Sequence, residues 1–176
     1  KKFQQRFNEF ALNFIDSDDE IRELLIKDRK NAIEIVNEKI KSGDCSYAEL
    51  AVNGLIKEKP FEYDEAIKIG EACYSKDNNN LSNLLGQSFF AKNDYNNAFK
   101  YHNTACERGM FLSCEQLGFM FLNKTIPSSY SDWPEKNLNK LIVNYFEKCS
   151  KAGIIDCHVM YARLLQTSKY ITELEM

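Results

Sequence analysis

Ala98-Phe-Lys-Tyr-His-Asn-Thr-Ala-Cys106-Glu-Arg-Gly109, continued by Met110-Phe-Leu-Ser-Cys114-Glu-Gln-Leu-Gly118-Phe-Met-Phe121, is the stretch of this 176-residue chain whose reading decides the fold. Ala98, Tyr101, His102 and Ala105 recur in steps of three and four, which places them on one face of a helix. Gly109 then acts as a stop signal. Cys114, Leu117, Gly118 and Phe121 take up the same spacing, so a second helix follows the turn. Cys106 and Cys114 are eight apart. Within one helix that step would separate them by ~12 Å along the axis, too far for a disulfide. Placed on either side of a turn, they come within reach.

The same step recurs 43 residues later, where Cys149 and Cys157 flank Gly153. Cys106 stands three before its glycine and Cys149 four before; Cys114 stands five after and Cys157 four after. Both members of the second pair have moved together, which a bond explains better than coincidence. Cys45 and Cys73 remain. Connectivity is not fixed by spacing alone. In an antiparallel hairpin, however, the start of the first helix lies beside the end of the second, and this predicts a third bridge. A disulfide framework points to an oxidising compartment.

Outward from this stretch the chain repeats itself. Asp28-Arg-Lys-Asn-Ala32, Glu62-Tyr-Asp-Glu-Ala66 and Asp94-Tyr-Asn-Asn-Ala98 each open a helical pattern, with the alanines 34 and then 32 apart. A period near 34 is that of two-helix repeats. Leu85-Gly86 and Leu117-Gly118 recur 32 apart, and a glycine inside a helix, unfavourable by about 1 kcal/mol against alanine, marks close approach of a neighbour. Val159, Tyr161-Ala162 and Leu164-Leu165 outline a further first helix, and Tyr170-Ile-Thr-Glu-Leu174 begins its partner. The array is expected to continue beyond Met176. With Lys1-Lys2 in place of an initiator Met, the chain reads as a processed or trimmed form.

Residues 1–27 differ from the rest. Phe3, Phe7, Phe10 and Phe14 form an amphipathic aromatic stripe, readable as core, as a cap on the array, or as an exposed docking helix. Ser17-Asp-Asp-Glu20 reads as a capping box that starts a helix with Ile21, Leu24 and Leu25 inward. Residues 28–176 form the repeat array. Its period breaks between about 123 and 136, where turn formers cluster around Pro127 and Pro134 and the next helix falls 44 residues on. Asp132 and Glu135 are expected to cap that helix. Long loops in compact arrays are often functional, and this one holds Trp133, the chain's single Trp, either as a packed anchor or as a binding residue.

Composition narrows the functions. The net charge is −3, with 23 Lys+Arg against 26 Asp+Glu, and no basic block marks a nucleic-acid footprint. No apolar run is long enough for a transmembrane segment. With 7 Gly and 3 Pro, turn signals are too sparse for an all-β fold. His102, Cys106 and Cys114 are the best zinc candidates, but the close Cys spacing of zinc sites and the C-x-x-C of redox motifs are both missing. No cofactor or metal is implied. His102 lies on an inward face and His158 beside a cysteine. No serine–lysine, nucleophile-elbow, phosphate-loop or dinucleotide motif occurs, so no catalytic residue is assigned.

The stretch Ala98 to Phe121, with Tyr145-Phe-Glu-Lys-Cys149 and Cys157 as a second match, resembles the Sel-one-like repeat, a relative of the tetratricopeptide repeat, and most closely its cysteine-rich secreted branch in Helicobacter-type bacteria. The resemblance covers about residues 28–170. Ala51-Val52 stands where Leu-Gly is usual, the glycine-rich loop after the first helix is missing, and the N-terminal Phe helix lies outside the match. The resemblance implies an all-α fold, a right-handed αα-solenoid of antiparallel helix pairs, that binds a protein or peptide on its concave face. Carried over, the concave positions are Asn53, Gln87, Phe119 and Arg163, with Glu115 and Phe90 nearby. The expected role is a non-enzymatic binding scaffold in the periplasm or outside the cell. The alternatives are a subunit of a larger envelope complex, with the Phe helix and Trp133 loop as docking elements, and a penicillin-binding or β-lactamase-type hydrolase.

Overall fold

Asp28 and Asp94 each accept a hydrogen bond from the backbone N–H three residues on, Asn31 and Asn97, at 3.3 and 3.1 Å. These are side-chain caps satisfying donors that the first turn of a helix leaves free. Glu62 holds the same position in the second aligned segment but makes no side-chain cap bond. The computed structural model describes residues 18–75 and 77–167. Among these it contains α-helices, one 3₁₀ turn and no strand: α1 Asp18–Lys27, α2 Arg29–Lys41, α3 Ala48–Lys57, α4 Tyr63–Ala72, α5 Asn79–Ala91, α6 Tyr95–Glu107, α7 Phe111–Leu122, the 3₁₀ turn Ser128–Tyr130, α8 Glu135–Lys151 and α9 Ile155–Gln166. The Phe stripe from Phe3 to Phe14, Ser17 of the expected capping box and the pattern from Tyr170 to Leu174 lie outside the described residues.

The helix stops before the two short bridges follow one rule. At the end of α6, Gly109 N–H bonds Cys106 O at 3.1 Å and Met110 N–H bonds Ala105 O at 2.9 Å, the paired bonds of a Schellman cap. The end of α8 repeats this with Gly153 to Ser150 O at 2.9 Å and Ile154 to Cys149 O at 3.2 Å. Gly109 and Gly153 have φ of +90° and +86°, the left-handed region where a Cβ is unfavourable. The cap needs one such residue, which is why a glycine sits between the two cysteines of each short pair.

The chain divides into two compact units, 1–88 and 89–176, with the division falling inside α5. In unit 1, α1 packs on α2 and α3, and α3 packs on α4. Its buried residues are aliphatic: Ile21 and Leu25 on α1, Ile35 and Val36 on α2, Val52 and Leu55 on α3, Ile69 on α4. Arg29 locks the loop after α3, its guanidinium donating to the carbonyls of Leu25, Glu58 and Pro60 and lying 3.6 Å from the Glu62 carboxylate.

In unit 2, α7 packs on both α6 and α8, and α8 packs on α9. Here rings join the aliphatic side chains in the core: Phe89, Tyr101, Phe121, Tyr145 and Phe146 are buried beside Leu117, Ile142 and Val143. Phe89 stacks on Tyr101 at 5.4 Å, and Phe119 meets Phe146 edge-on at 5.2 Å. A Cβ on Gly118 would stand 2.8 Å from the Phe146 ring. The glycine inside α7 therefore marks a close approach, and the neighbour is α8.

Candidate functional site

The three disulfides join Cys45 to Cys73, Cys106 to Cys114 and Cys149 to Cys157, the pairs to which spacing and hairpin geometry lead. The two short bridges cross the turns α6–α7 and α8–α9, and their four sulfurs belong to residues no more than 4 % exposed. Ser150 Oγ and His158 Nδ1 lie 2.6 Å apart, a second tie across the α8–α9 turn one position beyond the bridge. Ser150 is buried and His158 exposed. The Cys45–Cys73 bridge joins the approach to α3 with the end of α4, which sets those helices antiparallel. Cys45 is exposed and Cys73 half-buried.

With Cys106 and Cys114 bonded to each other, neither can supply the thiolate a zinc site needs. Among the described residues no group of three or more His, Cys, Asp or Glu is placed to hold a metal ion. His102 is 1 % exposed with Nδ1 unpartnered, and burial pushes its pKa down to about 4.

The period-breaking segment runs from Asn123 to Pro134 between α7 and α8. It is pinned at several points. Lys124 takes a left-handed φ of 59° as α7 ends. Ser128 donates from both N–H and Oγ to Asn96 Oδ1 at 3.0 and 3.2 Å, which fastens the segment to the start of α6. Tyr130 then inserts its ring among Phe99, Phe121 and Trp133, with centroids 5.2, 5.1 and 4.6 Å away. Such aromatic contacts add stability beyond area burial. Asp132 does not cap α8, contrary to the sequence expectation: the N-cap is Pro134, with no side-chain bond, and Glu135 is the first helical residue. Proline there presets the helix entry backbone.

Between this segment, the end of α7 and the start of α8 lies a cavity of about 410 Å³. Phe121, Leu122, Trp133, Leu138 and Ile142 form its apolar wall, and Asn139 lines it as well. Trp133 is 43 % exposed, so it serves as wall on one side and surface on the other. Asn139 is 4 % exposed and its Nδ2 has no hydrogen-bond partner. Unit 1 carries a larger, more open groove of about 750 Å³. Several of its charged side chains already pair internally, Lys27 with Glu23, Arg29 with Glu62, and Lys68 with Glu65.

The expected concave positions fall in both units. Asn53 on α3 and Gln87 on α5 belong to unit 1, and both are half-buried. In unit 2, Phe90 is 38 % exposed and packs on Tyr95 at 5.6 Å. Phe119 is half-buried against Phe146. Glu115 is half-buried, and desolvation with the nearby Asp156 charge raises its pKa above the ordinary carboxylate range. Arg163 is exposed on α9. Of the expected binding residues, the structure places Trp133 in the cavity, while Phe90, Glu115, Phe119 and Arg163 do not line it. Asn139 is a residue the sequence reading missed. Its signal was an amide on the inward stripe Asn139, Ile142, Val143, Phe146, Cys149 of α8, where the period calls for an apolar residue.

No family model, no curated protein and no solved structure matches this chain.

Proposed function

We propose that this chain is a non-enzymatic module that binds a protein or peptide in an oxidising compartment, the bacterial periplasm or the extracellular space. The observation that carries the reading is the cavity of about 410 Å³ beneath the α7–α8 segment. Its size lies within the roughly 300–1,000 Å³ of ligand pockets, and its wall mixes apolar side chains with polar ones, Lys124, Ser131, Glu135 and Asn139. The segment that roofs it is twice fastened, by Ser128 to Asn96 and by Tyr130 among three rings, so the wall is organised before a ligand arrives. Such preorganisation lowers the entropy lost on binding.

Three bridges with no free cysteine support the oxidising location, since such frameworks persist outside the reducing cytosol. Paired helices of period near 34 support a right-handed αα-solenoid of the Sel-one-like kind, in which Asn53, Gln87, Phe90, Glu115, Phe119 and Arg163 contribute to a concave binding face. Selection of random peptides displayed on phage against the oxidised protein tests the function. Enrichment of sequences sharing a hydrophobic anchor is expected, with binding weakened about tenfold or more by Trp133→Ala, as for a buried aromatic anchor. Enrichment no greater than on an unrelated disulfide-bonded helical protein would overturn it.

A further inference from the structure

Asn139 occupies the first position of the buried stripe on α8, and Ile142, Val143, Phe146 and Cys149 follow it before the stripe ends on Ser150, which is hydrogen-bonded to His158. It is 4 % exposed, and its Nδ2 donates to nothing. Folded proteins rarely keep a buried donor unpaired, and each such group calls for a physical account. The same side chain lines the cavity formed with Phe121, Leu122, Trp133, Leu138 and Ile142. The terminal torsion of an asparagine is broad, so its amide can turn toward the cavity without leaving its rotamer. An acceptor placed there would satisfy the nitrogen.

The rest of the cavity narrows what carries that acceptor. The part of the wall made by Trp133, Leu138 and Ile142 suits a branched or aromatic hydrocarbon group, and Ser131, Lys124 and Glu135 leave the rest of it polar. A buried carboxylate would need a compensating charge, and the lining holds one lysine and one glutamate, Lys124 and Glu135, so it does not select an anion. A neutral carbonyl next to an apolar group answers both requirements, and an amino-acid residue within a polypeptide has that constitution.

We propose that the cavity receives one hydrophobic residue of a partner polypeptide, with its side chain against Trp133, Leu138 and Ile142 and its carbonyl oxygen accepting a hydrogen bond from Asn139 Nδ2. This rests on the peptide-binding reading and names the residue class and the specificity-determining donor.

Three small probes sharing one aromatic body test it: N-acetyl-phenylalaninamide, 3-phenylpropanoate and ethylbenzene. Each is titrated into the oxidised protein with the fluorescence of Trp133 as readout, since none of them contains indole. The amide is expected to bind about tenfold more tightly than ethylbenzene, the ratio that one buried hydrogen bond supplies. Asn139→Leu, which keeps the branching at Cγ and removes the donor, is expected to erase that ratio by weakening the amide while leaving ethylbenzene unchanged or tighter. In the unaltered protein the Asn139 side-chain NH₂ resonances are expected to move with the amide and not with ethylbenzene, a readout independent of how the variant folds.

Equal affinities for amide and hydrocarbon would overturn the donor role, leaving the nitrogen to a water molecule. Tightest binding of 3-phenylpropanoate would overturn the polypeptide in favour of a free carboxylic acid. If display-selected peptides bind but no probe does and the peptides ignore Asn139→Leu, this inference fails while the module reading stands. If probes bind as expected and no peptide competes with them, the peptide-binding reading fails, and the polypeptide with it.

Discussion

Unit 1 and unit 2 solve the same problem, holding paired helices together, with different materials. Unit 1 is aliphatic inside, with Ile21, Leu25, Ile35, Val52, Leu55 and Ile69 in its core, and its bridge joins an exposed Cys45 to a half-buried Cys73. Unit 2 adds five buried rings, Phe89, Tyr101, Phe121, Tyr145 and Phe146, to its aliphatic side chains, and both its bridges join buried cysteines. The difference teaches what each bridge does. Cys45–Cys73 restrains the chain from outside the core. Cys106–Cys114 and Cys149–Cys157 are part of the packing at their turns.

The largest expected effects come from the bridges themselves. In the chain-entropy account a bridge stabilises more as the closed loop lengthens. The separations of 28 and 8 residues then correspond to roughly 3.6 and 2.5 kcal/mol. Cys45→Ala with Cys73→Ala should therefore lower the unfolding free energy by about 1 kcal/mol more than Cys149→Ala with Cys157→Ala, measured by chemical denaturation. The reverse order would show that burial of the short bridges, not loop closure, sets their worth. Partial reduction sharpens the contrast, because exchange requires access of the attacking thiolate. Under mild reductant without denaturant, alkylation followed by peptide mass spectrometry should label Cys45 and Cys73 before the other four. Free thiols at Cys106 and Cys114 in the native protein would break both the comparison and the oxidising location.

Unit 2 also carries a pH liability. His102 on α6 is buried, and desolvation lowers its folded pKa from 6.5 to about 4. The unfolded chain therefore binds this proton first as pH falls. The stability held by neutral His102 is complete above pH ~6.5 and is lost progressively down to pH ~4, by roughly 3 kcal/mol in all. His102→Leu should flatten the dependence of unfolding free energy on pH across that window. An unchanged slope in the variant would assign the acid sensitivity elsewhere.

How far these features were legible in the sequence depended on whether they are local. Helix pairing, the Gly109 and Gly153 stops and the short bridges follow from period, caps and spacing within a dozen residues, and all could be read. The Cys45–Cys73 pair needed one tertiary assumption, that α3 and α4 run antiparallel. The period break located the α7–α8 segment, yet Asp132 looked like a cap because side-chain chemistry favoured it, whereas Pro134 fixes the helix entry by its backbone. The cavity was not legible. It depends on Tyr130 reaching Phe99 and on Ser128 reaching Asn96, contacts that no repeat period encodes. Asn139 was passed over because one amide in an apolar stripe becomes informative only when its missing partner is seen.

The smallest expected effect tests the aliphatic–aromatic contrast most directly, using one methyl group in each unit. Gly54 in α3 and Gly118 in α7 are helix-interior glycines. Replacing each with alanine should gain up to about 1 kcal/mol from helix propensity alone. In unit 1 the new Cβ would stand 3.0 Å from Leu25 Cδ1, a terminal methyl that moves by a small rotation of its side chain. Gly54→Ala should therefore be neutral to within about 0.5 kcal/mol, or slightly stabilising. In unit 2 the new Cβ would stand 2.8 Å from both Cε2 and Cζ of Phe146. That ring is fully buried and is held edge-on by Phe119 at 5.2 Å, so either the ring or the α7–α8 spacing must shift. Overpacking of this kind costs about 1–3 kcal/mol, and Gly118→Ala should lose about 1 kcal/mol net once the propensity gain is deducted. Denaturation midpoints of the two variants decide the matter. Equal losses would mean that a ring held edge-on yields as readily as a leucine methyl, and the contrast drawn between the two units would lose its physical basis.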